Sequence, residues 1–273
     1  MQRALIGSLL AIVASSLVGT WVVLRGLAFL GDALAHGVIP GIALAVLFGY
    51  NLFLGALVAA VVMTGLITFV SNRTVIRDDT SIGLLFVGML SLGVVIVSTA
   101  GSFRTDVTAI LFGDALGVSR SDVRNQFIAT AFVVICTVLL YRPFLASTFN
   151  ETKAATLGMR PKLTQAALLG LLSVSIVSSF QTIGTLLVFG LIVAPPATAS
   201  LLVRRVVPIM LLSMALGALA AIAGLLVSFH YGTAGGATIA GLCVSEFFLV
   251  LVARLVKGRL GASNQNRRSE ALV

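Results

Sequence analysis

Nine apolar runs, each about twenty residues long, recur along the whole of this 273-residue chain. A helix of that length crosses the hydrocarbon core of a bilayer. The composition excludes a soluble globular protein, because 59% of the residues are hydrophobic, only 10% are charged and the mean hydropathy is +1.13. We predict an all-α polytopic membrane protein with about nine transmembrane helices, and the weak breaks at Arg25 and Gln181 make eight or ten helices compatible too. The predicted spans are residues 4–24, 27–49, 52–71, 82–100, 125–141, 163–180, 183–203, 207–229 and 236–256.

The basic residues predict the orientation of this bundle. Fourteen of the eighteen Lys and Arg residues fall on one side of the predicted membrane. Cytoplasmic loops carry the excess of Lys and Arg, so that side is cytoplasmic. An odd number of spans then places the N-terminus outside and the C-terminus inside, in a multi-pass protein of the plasma (inner) membrane. The four basic residues on the outer side are Arg3, Arg104, Arg120 and Arg124.

The net charge of +9 follows from this asymmetry. Because no nucleic-acid-binding motif and no interleaving of basic and aromatic residues accompanies the charge, we expect membrane lipid and no nucleic acid as a partner. From Gly258 to Val273 the chain is rich in Ser, Asn, Gln and Arg. We therefore predict one transmembrane domain, residues 1–257, followed by a disordered cytoplasmic tail, residues 258–273.

An ionisable pair, Asp32 and His36, lies inside the apolar run between Gly26 and Tyr50. The i,i+4 spacing puts both side chains on one helix face. Charges at this depth are costly and often mark an ion pathway, and a carboxylate with an imidazole suits Zn²⁺ or Mn²⁺. Pro40 cannot donate to the carbonyl of His36, which leaves that oxygen for another partner. The pair could equally hold neighbouring helices together, and the residues alone leave both interpretations open.

A second candidate element lies in the longest cytoplasmic loop, residues 142–162. Asn150 can cap the start of a short helix and Gly158 can end it, while the alanines between them favour helix. Such a helix either lies in the membrane interface or docks on a partner protein. The segment consists of Asn150, Glu151, Thr152, Lys153, Ala154, Ala155, Thr156, Leu157 and Gly158.

Two prolines predict a broken helix in the seventh span. Pro195 and Pro196 lie deep in the apolar run and free the carbonyls of Leu191 and Ile192. Broken helices are tolerated at membrane depth only against protein or a water-filled path.

Several acids outside these elements carry alternative interpretations. Glu246 lies midway along the last span without an evident partner. In the outer loop, Asp106, Asp114 and Asp122 either gather cations or cap helices. The apolar stretch 109–118 of that loop is too short to span and is predicted to be re-entrant or interfacial.

Six stretches, in this order, resemble the membrane-spanning permease subunits of the ABC-3 family, which import zinc, manganese or iron(II). The resemblance covers about residues 7–256. The stretches are VLRGLAFLGDALAHGVIPGIALA, RDDTSIGLLFVGMLSLGVV, ILFGDALGVSRSDV, FNETKAATLG, LLVFGLIVAPPATASLLVRR and GATIAG.

This resemblance implies the permease subunit of an ATP-driven importer of zinc or manganese. Its expected partners are a second copy of the chain, cytoplasmic ATP-binding subunits and an extracytoplasmic metal-binding protein. Asp32 and His36 match the positions expected to meet the metal, and Asn150 to Gly158 match the coupling helix expected to dock on the ATPase. The metal is cargo, and no permanently bound cofactor is expected. The chain departs from the family where Glu151-Thr152-Lys153 replaces a common Pro-Glu-Leu and where Gly232 and Ala234 replace Asp and Pro.

The motifs also bear on the class of function. No Gly-x4-Gly-Lys-[Ser/Thr] nucleotide loop is present, so we predict a transport subunit rather than an enzyme, with ATP hydrolysis supplied by a separate subunit. The alternative is a stand-alone proton-coupled metal carrier or channel, in which Asp32, His36 and Glu246 relay protons. Asp with His suits both zinc and manganese, so the metal stays open.

Overall fold

The computed structural model of the chain describes residues 2–73, 78–99, 118–183 and 185–270. Every regular element in these ranges is an α-helix. The helices are α1 (Gln2–Leu24), α2 (Ala28–Gly37), α3 (Ile39–Leu47), α4 (Leu52–Arg73), α5 (Asp78–Thr99), α6 (Arg120–Leu139), α7 (Tyr141–Phe149), α8 (Glu151–Thr156), α9 (Pro161–Ile183), α10 (Thr185–Leu202), α11 (Val206–Tyr231) and α12 (Gly235–Glu270).

The helices match the predicted membrane spans. By length and composition, seven described segments can cross a membrane: α1, α2 with α3, α4, α6, α9, α11 and the first part of α12. Two shorter apolar stretches, Ile82–Ser98 in α5 and Val188–Leu202 in α10, coincide with the two remaining predicted spans. The prediction of a polytopic all-α membrane protein with about nine spans is therefore confirmed.

The position of the helix break differs from the sequence prediction. α10 continues as an α-helix through Pro195 and Pro196. The interrupted span is the second one, where Val38 separates α2 from α3. Pro40 is the second residue of α3, and a proline in the first helical turn removes no intrahelical hydrogen bond. It therefore allows a new helix to start at this point.

Helix α1 lies at the centre of the bundle and contacts α6, α9, α10 and α11. It approaches α10 closely at Gly19, where a Cβ atom would overlap the carbonyl oxygen of Ile192 and lie 3.2 Å from Cγ of Pro196. That carbonyl is the one whose helical partner Pro196 removes. The freed oxygen thus lies against protein, which agrees with the rule for irregular backbone inside membranes.

We expect Gly19→Ala to destabilise the protein by at least about 1–3 kcal/mol, because a backbone oxygen cannot move aside as a side chain can. Gly170→Ala in α9 is the matched control, since a Cβ atom there meets nothing within 4 Å, and it should be neutral or slightly stabilising. Thermal unfolding of the two detergent-purified variants measures the difference. Equal melting temperatures would contradict the close approach.

Two short helices lie at the end of the bundle that the basic residues predict to be cytoplasmic. α7 and α8 pack against each other and against α9, and α7 also contacts α1. The turn at Arg25 and the segment from Asn150 to Gly158 therefore lie on the same side, as the distribution of basic residues requires. The backbone of α12 is helical to Glu270, beyond Lys257, where the sequence places the start of a disordered tail. The division into residues 1–257 and 258–273 stays a prediction.

Candidate functional site

Asp32 and His36 form a contact pair on α2. Nδ1 of His36 lies 3.0 Å from the backbone carbonyl oxygen of Asp32 and 3.4 Å from its Oδ1. Both of these neighbours are acceptors, so Nδ1 carries the proton and donates. In the neutral imidazole the lone pair is then on Nε2. Asp32 thus orients the ring, and His36 presents Nε2 as the nitrogen that can bind a cation.

The pair is accessible from outside the chain. The side chains of His36 and Asp32 are 16% and 27% exposed, although α2 lies within an apolar span. Its neighbours along α2, Ala33, Leu34 and Ala35, are buried, which fixes the face that the pair occupies. A half-buried carboxylate and imidazole on an open face can exchange a hydrated ion more easily than an enclosed pair could.

Aromatic side chains flank the pair, and sequence reasoning missed them. The ring of Phe86 in α5 meets that of His36 edge to face, with the centroids 5.2 Å apart. Phe29, about one turn before Asp32, also meets the Phe86 ring edge to face, with the centroids 6.0 Å apart. Phe86 therefore limits the rotation of the imidazole. No sequence signal links positions 36 and 86, because the contact depends on how α2 packs against α5.

The described residues provide no larger metal cluster. No group of three His, Cys, Asp or Glu side chains placed to hold one ion occurs among them. The His36 carbonyl, to which Pro40 cannot donate, accepts a hydrogen bond from the backbone N–H of Val38. Two side chains do not fill the coordination shell of a divalent transition metal. Further ligands must come from beyond the side chains that the structure describes.

The segment from Asn150 to Gly158 forms the predicted short helix, α8. The Asn150 side chain accepts a hydrogen bond from the backbone N–H of Lys153 at 2.9 Å. At the other end, Gly158 has φ of +75°, and the N–H groups of Gly158 and Met159 donate to the carbonyls of Ala155 and Ala154. This is the pattern of a helix ended by a left-handed glycine. The predicted helix and both of its ends are confirmed, whereas its docking role stays a prediction.

Most of α8 faces away from the chain. Ala154 is fully buried and fixes the helix to the bundle, while Ala155 and its other residues are exposed. An open cavity of about 830 Å³ borders the exposed face of α8. Its lining consists of Glu151, Thr152, Ala155, Met159, Arg160, Pro161, Lys162 and Leu163. A capped helix with an exposed face beside such a cavity provides a surface onto which another protein can fit.

The remaining acids do not join the pair. Asp122 belongs to a capping box: it accepts from the backbone N–H of Ser119, whose hydroxyl accepts from the N–H of Asp122, so the capping alternative holds for it. Asp106, Asp114 and nearly all of the stretch 109–118 lie outside the described residues. Oε2 of Glu246 is buried and has no hydrogen-bond partner among the described residues.

The Arg25 side chain is a further residue whose partners the sequence did not indicate. Its Nε donates to Oγ1 of Thr148 at 3.0 Å, and Nη2 lies 3.5 Å from the carbonyl oxygen of Phe144. In the sequence, Arg25 served only as one of the basic residues that predict the orientation. The structure adds a specific contact with α7, two residues before the cap of α8.

Comparison with known proteins agrees with this architecture. The model of the ABC 3 transport family matches residues 1–254. The chain is 36% identical over 250 residues to the manganese import system permease protein ScaB of Streptococcus parasanguinis, covering 92% of this chain and 89% of that protein. It is 34% identical over 252 residues to the manganese transport system membrane protein MntC of Listeria monocytogenes, with 92% and 90% covered. The solved structure of PsaBC from Streptococcus pneumoniae in complex with Fab is similar at a TM-score of 0.82 and 30% identity, over 91% of this chain and 90% of that one.

Proposed function

The chain belongs to the ABC 3 transport family, and from this premise we propose that it conducts Mn²⁺ into the cell along a path that Asp32 and His36 line. It is the membrane-spanning permease subunit of an ATP-driven importer of divalent transition-metal ions, and a multi-pass protein of the plasma membrane. It is a transport component, and ATP hydrolysis belongs to a separate subunit. Because the chain belongs to this family, it is part of an ATP-driven importer and not a stand-alone proton-coupled carrier.

The observation that carries the metal path is the oriented imidazole of His36 beside the Asp32 carboxylate on an accessible face of a membrane span. Imidazole and carboxylate together suit Mn²⁺ as well as Zn²⁺. The names of two relatives, ScaB and MntC, support manganese as the ion transported. A cargo ion must also leave the site, and the partial exposure of both side chains leaves a way out of the chain for it.

The partners complete both ends of this proposal. A second copy of the chain would place a second Asp32 and His36 pair beside the path, which would add ligands to the two that the described residues of one chain provide. Cytoplasmic ATP-binding subunits would dock on the exposed face of α8, at residues 150–158. An extracytoplasmic metal-binding protein would deliver the ion at the outer surface.

The test is transport by the assembled complex. The chain is purified with its ATPase subunit, reconstituted into vesicles and supplied with the binding protein, and accumulation of radioactive Mn²⁺ is measured with and without ATP. We expect ATP-dependent accumulation of Mn²⁺, and little when the ATPase carries a substitution of its nucleotide-loop lysine. Accumulation driven by a proton gradient without ATP would contradict the proposed function. Preferential accumulation of Zn²⁺ under competition would overturn the choice of manganese alone.

A further inference from the structure

The cytoplasmic end of α1 is joined to α7 by two contacts one helical turn apart. Trp21 is fully buried and meets the rings of Tyr141 and Phe144 with centroid distances of 5.6 and 5.5 Å. Four residues later, Arg25 donates to Thr148 and lies within reach of the Phe144 carbonyl. The contacts hold both halves of α7 against one face of α1.

The same end of α1 is joined by a short hydrogen-bonded turn to the helix that carries the metal pair. Gly26 has φ of +69°, and the N–H groups of Gly26 and Leu27 donate to the carbonyls of Val23 and Val22. This left-handed turn leaves one residue, Leu27, between the turn and α2. Asp32 is the fifth residue of α2, so only this turn and the first turn of α2 lie between Arg25 and the metal pair.

On the other side, the partners of Arg25 lie next to α8. Thr148 precedes the cap residue Asn150 by two positions, and its hydroxyl also donates to the Phe144 carbonyl at 2.7 Å. A polar cavity of about 410 Å³ separates the α1–α2 turn from the α7–α8 junction beside these bonds. Beside this cavity the hydrogen bonds of Arg25 connect the two elements, in addition to the packing of Trp21 one turn earlier.

Charge reinforces this connection. Burial lowers the pKa of the Arg25 guanidinium, while the charge of Glu151, the first residue of α8, raises it. The ordinary pKa of arginine is so high that the guanidinium stays charged. Arg25 is therefore attracted to the start of α8 as well as bonded to α7.

We infer that Arg25 is a positioning residue that passes movement of α8 to the helix bearing Asp32 and His36, through its hydrogen bonds to Thr148 and Phe144. The inference rests on the proposed function, because it requires an ATPase to move α8. A purely structural Arg25 would hold α7 in place without affecting how many ATP molecules are spent for each ion.

The test measures ATP hydrolysed per Mn²⁺ imported by the reconstituted complex. Thr148→Val removes the acceptor with little change in shape, and we expect it to raise this ratio roughly tenfold or more, the change that corresponds to the loss of a hydrogen bond to a charged group. Thr148→Ser keeps the hydroxyl and should stay within about twofold of the wild type. The double variant Arg25→Ala, Thr148→Val should be no worse than Arg25→Ala alone if the two residues act through one bond.

An unchanged ratio in Thr148→Val, or parallel loss of transport, ATPase activity and melting temperature, would overturn the role of Arg25 and leave the importer intact. If the wild-type complex imports no divalent metal with ATP, the proposed function itself fails. The two failures are therefore distinguishable.

The single tryptophan, Trp21, reports directly on the contact between α1 and α7. Permease labelled with 5-fluorotryptophan gives one ¹⁹F resonance, from Trp21, when the partner subunits are unlabelled. We expect ATP to shift this resonance in the wild-type complex and to shift it less in Thr148→Val. A resonance that ATP does not shift would show that the contact between α1 and α7 does not move, and would overturn the inference.

Discussion

Replacing Asp32 with Asn, or His36 with Ala, is expected to lower ATP-dependent Mn²⁺ uptake by at least about tenfold, the lower end of the loss that follows when a group orienting a metal ligand is removed. Asn keeps the shape of Asp32 but loses the negative charge that attracts the cation and fixes the imidazole. Ala removes Nε2 of His36, the nitrogen available to the ion. Uptake of radioactive Mn²⁺ by vesicles, normalised to the amount of permease, measures the effect.

His230→Ala is the matched control for this experiment. The chain has two histidines, and Nδ1 of His230 lies 3.0 Å from the Leu226 carbonyl, the same backbone contact that His36 makes with Asp32. His230 lies exposed at the outer end of α11 and has no carboxylate in this arrangement. The His230→Ala variant should take up Mn²⁺ like the wild type. Wild-type uptake by both Asp32→Asn and His36→Ala, at equal abundance, would leave the pair a structural role only.

Although the orientation inferred from the basic-residue counts stays a prediction, apolar periodicity was sufficient to predict the spans. The same was true of α8, because the chemistry that begins and ends a short helix is local: Asn150 caps with its own side chain, and Gly158 adopts a positive φ. The pairing of Asp32 with His36 was also local, since i,i+4 residues meet on any helix.

Contacts between distant segments could not be predicted from the sequence. Both Pro40 and Pro196 look like helix breakers, yet only the first lies at a helix start. α10 stays continuous through Pro196, and the Ile192 carbonyl that this proline frees lies against Gly19. Thr148 is 123 residues from Arg25 in the chain, and no periodicity connects them. Packing between helices decides such contacts.

The two alanines of α8 show the same limit on a smaller scale. The sequence presents Ala154 and Ala155 as equivalent small residues in a helix of six, which is too short for a hydrophobic period to assign faces. In the structure Ala154 is fully buried against its own chain and Ala155 is exposed. A bulky side chain at position 154 would therefore disturb folding of the permease, and only position 155 reports on docking.

Ala155→Trp is accordingly expected to abolish assembly with the ATPase or its metal-stimulated activity. A force-transmitting helix must fit tightly, and forcing an indole into a packed interface costs about 1–3 kcal/mol or more. Co-purification of the ATPase with the permease measures assembly, and phosphate release in the presence of Mn²⁺ measures coupling.

Leu139→Trp serves as the control, because Leu139 is 74% exposed at the end of α6. This substitution introduces the same indole outside α8. It should assemble and transport like the wild type. If Ala155→Trp does so too, α8 is an interfacial helix and the ATPase docks elsewhere. If Ala155→Trp alone loses the ATPase while its melting temperature is unchanged, the exposed face of α8 is the docking surface, since the substitution has altered nothing that the chain itself buries.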